Sequence, residues 1–552
     1  MASKVLFVFS LSLACIGDGW AQRQPIYFVV DINVNYFTGN DLQLNCNNLT
    51  KHVQLLKKYG IEGDYYFTGL AVSSINQYRH DVIDTLKANR LYYNHHGANR
   101  PPRPQPIDRV NGVNWEQDVK AILDYESYAI DPMSGVLDST KVGGLKAMMQ
   151  IFSDTAFSTG RFFQASILYA EKQFGVKMCA GLKGNTGAST ESGWFLGIPN
   201  RPDDQRLFIT PDLFKPWALG QTTANLLTEL DYRIATTERS QPHLMMFVMH
   251  DLDFFQGYTQ AQQDSLWSHY EEVLSWAVRN RNLTIVKIKD IYNAVVDDRT
   301  KAMTMSQLAT AAQNLLDAIN LTGSVFALPE YITVGNDYLS LCDLWQMLVS
   351  SLSIYKQTGV FPSVARTRDM LGPTVITAVS SPSVSLNRSE IISAADSTAM
   401  SMVDRVQSQV SVGGRTVDAA EFLYLTAQAF VQIYLQQSST NISLRDISPI
   451  TAQANGNTLA DNLTKLQFWT FKPLRWRSTT TVGVNDPAEG KGVTQPSGFQ
   501  LFQNYPNPFN PTTTIRFSLS RHQHVTLKVF DVLGRAVATL VNRELNSGEH
   551  SV

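Results

Sequence analysis

Between positions 25 and 296 the sequence alternates apolar runs of strand length with amphipathic stretches of helical length. The first run, 26–32, is almost continuously apolar, as expected for a strand buried on both faces. The alternation returns in five later segments, 52–69, 80–97, 165–182, 226–251 and 270–288. Repeated β-α units predict an α/β fold with a parallel sheet, either closed or doubly wound.

Three polar residues stand where predicted strands end, namely Asp31, His95 and His250. In parallel β-α folds the chemistry gathers at the C-terminal ends of the strands, so these residues are functional candidates. Each also has a structural interpretation, as a polar residue or cap at a strand end. That interpretation is weakest for Asp31, because burying an unpaired carboxylate costs free energy.

From position 303 to 450 the sequence resembles itself. Segment 328–352 parallels segment 406–430, and each pairs a short β-run and a Gly-containing turn with a helical stretch. We interpret this as an internal duplication, with copies at 303–375 and 376–450. Each copy is predicted to be a helix, a small hairpin and a second helix.

Both second helices of these copies carry a capping pattern at their predicted start. Ser340 precedes Asp343 by three residues, and Asp418 precedes Glu421 in the same way. Such pairs satisfy the free backbone N–H groups of a helix N-terminus, so the pattern predicts where each helix begins.

The beginning of the chain predicts an exported protein. Positions 1–21 combine Lys4, a short apolar stretch and a small-residue cleavage site ending at Ala21, which is typical of a signal peptide. Cys15 leaves a lipoprotein signal open as the alternative. No later stretch reaches the roughly 18 apolar residues of a membrane-spanning helix.

The end of the chain divides into two further segments. Positions 451–497 are rich in Ser, Thr, Asn and Gly and are predicted to be a linker with one strand at most. Positions 498–552 alternate in β fashion and predict a small antiparallel β-sandwich.

The order of short motifs within 25–296 resembles the polysaccharide deacetylase (NodB-type) family. The motifs that carry the resemblance are 29–33 for the paired aspartates, 92–95 for the start of H-x-x-x-H, 160–163 for the arginine motif and 247–251 for the last strand with its histidine. The resemblance implies a (β/α) barrel with parallel strands and metal-dependent removal of an acyl group from a carbohydrate.

The resemblance also implies a role for each matched residue. Asp31 would be the base that takes a proton from water, and His250 the acid that protonates the leaving amine. Arg161 would orient the base carboxylate through two hydrogen bonds. His95 would bind a divalent cation, with Zn²⁺ the expected ion.

The remaining metal positions depart from the family. The position of the metal-binding aspartate holds Ile32 or Asn33, and the second histidine position holds Asn99. An amide carries no charge, so a site of His95, Asn33 and Asn99 should bind Zn²⁺ less tightly than a charged set. Replacement by the nearby carboxylates of 251 and 253, or loss of the chemistry altogether, are the alternatives.

Three residues are candidates for substrate binding, namely Trp115, Trp194 and Arg100. An indole face can stack on a sugar ring, although core packing is the commoner fate of a tryptophan.

The duplicated region resembles pseudomurein-binding repeats, through the hairpin at 329–334 and an aromatic residue early in the next helix. The resemblance implies binding of a cell-wall polymer, with a helical spacer as the alternative. The tail resembles a type IX secretion sorting domain, through 503–513, where Asn-Pro pairs predict rigid turns, and through Gly534-Arg535. Because 548–550 fits a turn before a final strand, we expect that strand to be truncated.

The sequence therefore predicts a secreted or surface-attached protein of a Gram-negative cell, exported by the type IX machinery. A formal net charge of −2 provides no basic field for nucleic acid. The first functional hypothesis is a carbohydrate-active hydrolase resembling de-N-acetylases, with a divalent metal if it is active. The alternative is an inactive barrel that serves as a glycan-binding or adhesive surface protein.

Overall fold

The computed structural model consists of two compact units, Pro25–Trp476 and a second unit that combines Met1–Gln24 with Arg477–Val552. The residues that the structure describes are 8–12, 24–34, 40–88, 92–95, 106–161, 164–181, 192–200, 207–209, 222–239, 241–250, 258–320, 326–376, 384–451, 461–477, 500–501, 514–519, 522–530, 536–546 and 548–552.

A sheet of parallel strands forms the centre of the larger unit. Its parallel members are β1 (Ile26–Val34), β2 (Asp64–Phe67), β3 (Tyr92–His95), β4 (Ser158–Arg161), β5 (Met178–Gly181), β6 (Ile198–Asn200), β7 (Phe208–Ile209) and β8 (His243–His250). They lie in the order β7-β8-β1-β2-β3-β4-β5-β6. Consecutive strands from β1 to β6 are neighbours, and β8 lies beside β1. Within the described residues, no pairing joins β6 to β7.

Helices flank this sheet, most of them on one face. They are α1 (Asn40–Lys58), α2 (Gly69–Tyr78), α3 (His80–Ala88), α4 (Trp115–Tyr125), α5 (Gly144–Phe152), α6 (Ala165–Gln173), α7 (Thr223–Thr236), α8 (Gln260–Arg279) and α9 (Ile288–Ala294). Short strands at Tyr128–Ile130 and Leu137–Val142 form a hairpin between α4 and α5. The strand Leu283–Ile285 pairs with the first half of β1.

The two faces of β1 meet different cores, because successive side chains of a strand point to opposite faces. Phe28, Val30 and Ile32 belong to the core shared with helices such as α1 and α8. Tyr27 and Val29 belong to a second core, with residues of β8 and with α9. We call the face that carries Tyr27 and Val29 the inner face. The continuous burial of β1 confirms the prediction of a strand covered on both sides.

The duplicated region contains two copies of one arrangement. The first has α10 (Met305–Asn320), a hairpin of Ile332–Val334 with Asp337–Leu339, and α11 (Leu341–Thr358). The second has α12 (Arg388–Ser401), a hairpin of Gln409–Val412 with Arg415–Asp418, and α13 (Ala419–Tyr434). In each copy the strand before the first helix pairs with the strand after the second, Ala302–Thr304 with Val364–Arg366 and Ser385–Asn387 with Asn441–Ser443. A further short pair joins Phe326–Ala327 to Ile447–Ser448.

Local capping and a shared core hold these copies. Both predicted capping boxes are present, Ser340 with Asp343 and Asp418 with Glu421. Trp345 of α11 and Phe422 of α13 meet edge to face, with ring centroids 6.0 Å apart, in one core formed by both copies. Neither copy buries that core alone, so the pair behaves as one domain.

Residues 461–476 differ from the predicted linker. They form α14 (Asn462–Gln467), a 3₁₀ turn at Phe468–Thr470 and the strand Lys472–Pro473, which pairs with the short strand Gly193–Phe195 beside β6. Phe468 and Phe471 are fully buried in a core that contains Phe195 and residues of the duplicated region. The segment lacks a local periodicity that would predict this structure, because contacts with these distant residues stabilise it.

The smaller unit contains two antiparallel sheets of three strands each. One joins Val8–Ser12, Gln523–Phe530 and Ala536–Leu545. The other joins Gln500–Leu501, Arg516–Leu519 and Gly548–Ser551. Apolar side chains from both, including Phe517, Leu519 and Leu527, share one buried core.

The final segment of the chain differs from its prediction. Residues 548–550 are predicted to form a turn before a truncated strand, but they belong to a strand, 548–551, that pairs with 516–519. Pairing with a distant strand stabilises this conformation, so the local sequence alone does not predict it. Separately, the described helices include none with the length and apolar character needed to span a bilayer.

Candidate functional site

Polar residues gather on the inner face near the C-terminal ends of β1 and β8. Asp31 and Asn33 alternate with Ile32, so both share the face of Tyr27 and Val29. His250 pairs with Asn33 across the neighbouring strands, and the Asn33 Nδ2 atom lies 3.4 Å from His250 Nε2. Asp31 and Asn33 are 5% and 8% exposed. The structure thus brings the predicted base and the predicted acid to adjoining strands of one face.

The next two strands extend this polar layer. Asp64 of β2 pairs with Asp31, and Tyr66 pairs with Asn33. The Tyr66 hydroxyl lies 3.0 Å from Ser158 Oγ of β4, and both residues are buried. We call Asp31, Asn33, Asp64, Tyr66, Ser158 and His250 the polar layer.

Helix α9 fixes one carboxylate of this layer. The backbone N–H of Ile288 donates to Asp64 Oδ2 at 2.9 Å, and Asp64 is fully buried. Below the layer, burial raises the pKa of the Tyr27 phenol, so that this side chain stays neutral. The layer therefore lies on an apolar base.

Three members of the polar layer were missed by the sequence analysis, namely Asp64, Tyr66 and Ser158. Asp64 and Tyr66 alternate along β2 as Asp31 and Asn33 do along β1, and that alternation was a usable signal. Ser158 had no such signal, because only the pairing of β4 with its neighbours places it beside Tyr66.

The backbone of His95 pairs with Phe67 of β2, and the backbone of Asn94 pairs with Tyr66. This backbone register does not test the metal-ligand role of His95.

Several predicted residues lie outside what the structure describes. These are the side chains of His95 and Arg161 and the whole of Asn99, Arg100, Asp251 and Asp253. The backbone of Arg161 pairs with Gly181 of β5. Their proposed roles therefore stay predictions.

The described donor set does not fit a zinc site. Among the residues with described side chains, no three His, Cys, Asp or Glu groups lie close enough to share a metal ion. Asn33 adds a neutral amide where the family's pattern calls for a carboxylate, and Zn²⁺ prefers imidazole, thiolate and carboxylate ligands. We therefore assign no chemical step to a metal.

The two candidate stacking tryptophans are core residues. Trp115 is 4% exposed and packs on Tyr169, with ring centroids 5.3 Å apart. The guanidinium carbon of Arg405 lies over the Trp115 ring, 4.9 Å from its centroid. Trp194 is 2% exposed and packs with Val295 and Leu474. A sugar ring cannot reach either indole face, so the structure contradicts the stacking role. Segment 461–476 and the duplicated region provide the cover that the sequence analysis did not foresee.

Residues 503–551 match the sequence family described as Secretion system C-terminal sorting domain. The end of this chain is a secretion sorting domain. It marks the protein as secreted or displayed at a cell surface. No curated protein of similar sequence matches the chain.

Solved structures share a general likeness with the chain. A 4-alpha-glucanotransferase from Thermococcus litoralis is 12% identical with a TM-score of 0.35, over 49% of this chain and 40% of the other. A family 4 carbohydrate esterase from Streptomyces lividans is 9% identical with a TM-score of 0.24, over 48% and 92%. A CE4 family pseudoenzyme from Bacillus anthracis is 9% identical with a TM-score of 0.27, over 49% and 66%. This chain spans less than half of the glucanotransferase, and these likenesses identify neither a substrate nor a reaction.

Proposed function

We propose that this protein is an exported carbohydrate-active hydrolase of deacetylase type, whose active site is the polar layer. The observation that carries the proposal is the placement of Asp31 and His250 on adjoining strands of the inner face, with Asn33 in contact with His250. A base and an acid on the same face can act on opposite sides of one scissile bond. This arrangement lies at the strand ends where β-α folds hold their chemistry.

In the proposed mechanism, Asp31 takes a proton from a water molecule as the water oxygen attacks the acyl carbon. The carbon–nitrogen bond then breaks, and protonated His250 gives its proton to the leaving amine. Both ring nitrogens of protonated His250 donate, so in this mechanism Asn33 holds Nε2–H with its amide oxygen after the amide turns over, and Nδ1 gives the proton to the amine. The Tyr66 hydroxyl, which lies 3.0 Å from Ser158 Oγ, is the donor that turns to the carbonyl oxygen, where negative charge develops.

The substrate in this proposal is an N-acylated polysaccharide or cell-wall glycan. The sorting domain directs the protein through the type IX machinery to the outside of a Gram-negative cell. Such polymers are found there. The duplicated region, which resembles cell-wall-binding repeats, holds the barrel against the polymer. It belongs to the same compact unit as the parallel sheet.

Release of acetate from N-acetylglucosamine polymers tests the proposal. The full chain should release acetate, and His250→Ala and Asp31→Asn should each reduce the rate by about a hundredfold or more. His243→Ala is the matched control, since His243 begins the same strand far from the polar layer. Equal rates in the control and in His250→Ala would contradict the assigned site. Zinc content measured on the same samples shows whether residues beyond the described ones recruit a metal.

A second function is favoured by one observation, the neutral Asn33 in a donor set that does not fit zinc. In that case the barrel binds glycan without cleaving it, and the protein serves as a surface adhesin. Glycan binding with no acetate release by any preparation, zinc-loaded or not, would select this function over the hydrolase.

A further inference from the structure

A pocket of about 280 Å³ opens beside the N-terminal ends of α2 and α5. Gly69, Gly143 and Gly144 form part of its wall, and we call it the glycine pocket. A Cβ atom on Gly69 would lie 2.6 Å from the Cα of Gly144, so only glycine allows these two helix ends to meet. The pocket is therefore built into the backbone and does not depend on a side-chain rotamer.

The glycine pocket lies at the same end of the sheet as the polar layer. Gly69 begins α2 directly after β2, three residues beyond Tyr66. Three residues of extended chain span at most about 10 Å. One oligomeric ligand could therefore reach both places.

The charged groups on the pocket wall are already committed to partners. Glu126 Oε2 accepts a hydrogen bond of 3.0 Å from the backbone N–H of Leu145, at the start of α5. Lys141 Nζ lies 3.0 Å from Asp138 Oδ2. A charged ligand would have to displace one of these bonds to gain a counter-charge, so the pocket favours an uncharged ligand.

The remaining wall offers both hydrogen bonds and apolar surface. Ser73 and Gln77 lie one turn apart on α2 and both line the pocket. Within the described part of the chain, neither side chain has a hydrogen-bond partner in the protein. Ile130 and Val142 of the hairpin between α4 and α5 supply the apolar side. The volume lies just below the usual range for ligand pockets, which begins at roughly 300 Å³, and this small size suits a single ring.

We propose that the glycine pocket binds one uncharged pyranose ring, as a sugar-binding position separate from the polar layer. The hydroxyl groups of the ring bond to Ser73 and Gln77, and its apolar C–H face packs on Ile130 and Val142. This binding needs no hydrolysis, so it goes beyond the proposed function and stands without it.

Saturation-transfer NMR on the full chain tests the inference, with glucose and N-acetylglucosamine as uncharged probes and glucuronate and protonated glucosamine as charged ones. The uncharged sugars should bind at millimolar concentration, and the charged sugars at least tenfold more weakly. Ser73→Trp should abolish binding by filling the pocket. Gln77→Leu should weaken it about three- to tenfold, as expected for one lost hydrogen bond. Ser74→Ala, on the same helix but outside the wall, is the matched control.

Three results would overturn the inference. They are no binding of either uncharged sugar, equal binding by the Ser73→Trp variant, and equal affinity for charged and uncharged probes. His250→Ala separates this inference from the proposed function, because it should remove hydrolysis and leave binding to the glycine pocket unchanged. Loss of binding in His250→Ala would move the sugar site to the polar layer and refute the separate position.

Discussion

The Asp418→Asn substitution should change how the stability of the protein depends on pH. Asp418 caps α13, where its Oδ1 accepts hydrogen bonds from the backbone N–H groups of Ala420 at 2.8 Å and Glu421 at 2.9 Å. The residue is 2% exposed. Burial, with a smaller contribution from the charge of Asp446, raises the pKa of the Asp418 carboxyl from 3.8 to about 6.

The direction of the effect follows from proton binding. The folded protein holds the Asp418 proton up to about pH 6, whereas the unfolded chain loses it near pH 4. Between those values the folded state binds more protons, so the free energy of unfolding falls as the pH rises. At about 1.4 kcal/mol for each factor of ten in proton affinity, the loss amounts to about 3 kcal/mol. Asparagine keeps the capping oxygen and cannot ionise.

Urea denaturation of the wild-type and Asp418→Asn proteins, followed by tryptophan fluorescence at several pH values, measures this difference. The stability of the variant relative to wild type should rise by about 3 kcal/mol between about pH 4 and pH 7. Asp131→Asn is the control of opposite sign, because bonds from Ser134 and Met133 lower the pKa of Asp131. That variant should lose relative stability as the pH rises. Parallel curves for wild type and Asp418→Asn over the whole range would refute the reasoning.

Two further predictions concern the attachment of segment 461–476. Lys472→Met should destabilise the protein by about 3–5 kcal/mol, because it leaves Asp343, a buried partner 2.8 Å away, without its counter-charge. Adding Asp343→Asn should recover part of this loss. Additive losses of the two substitutions in chemical denaturation would contradict the prediction. Gly193→Ala should lower the thermal unfolding midpoint through an overpacking cost of about 1–3 kcal/mol, because the new Cβ would lie 2.0 Å from Phe471 Cε2. Restored stability in a Gly193→Ala, Phe471→Leu double variant would support this clash. An unchanged midpoint in the single variant would exclude it.

Signals that depend on neighbouring residues were predictable from the sequence. The continuous apolar run of β1, the helix–hairpin–helix order of both copies and the two capping boxes each arise from residues a few positions apart. The sorting domain belongs to the same class, because its Asn-Pro pairs lie together in one short stretch. Asp31 does not end its strand as predicted, since β1 continues for three more residues to Val34.

Only the tertiary structure decided which side chains meet. The register between β2 and β3 pairs the backbone of Asn94 with Tyr66 and that of His95 with Phe67, and neither strand's own sequence specifies this register. Trp115 and Trp194 are buried by segments that lie far along the chain, and 461–476 becomes ordered only against those same surfaces. Strand register and burial are set by contacts between distant residues, whose free energy depends on the assembled packing and not on local pattern.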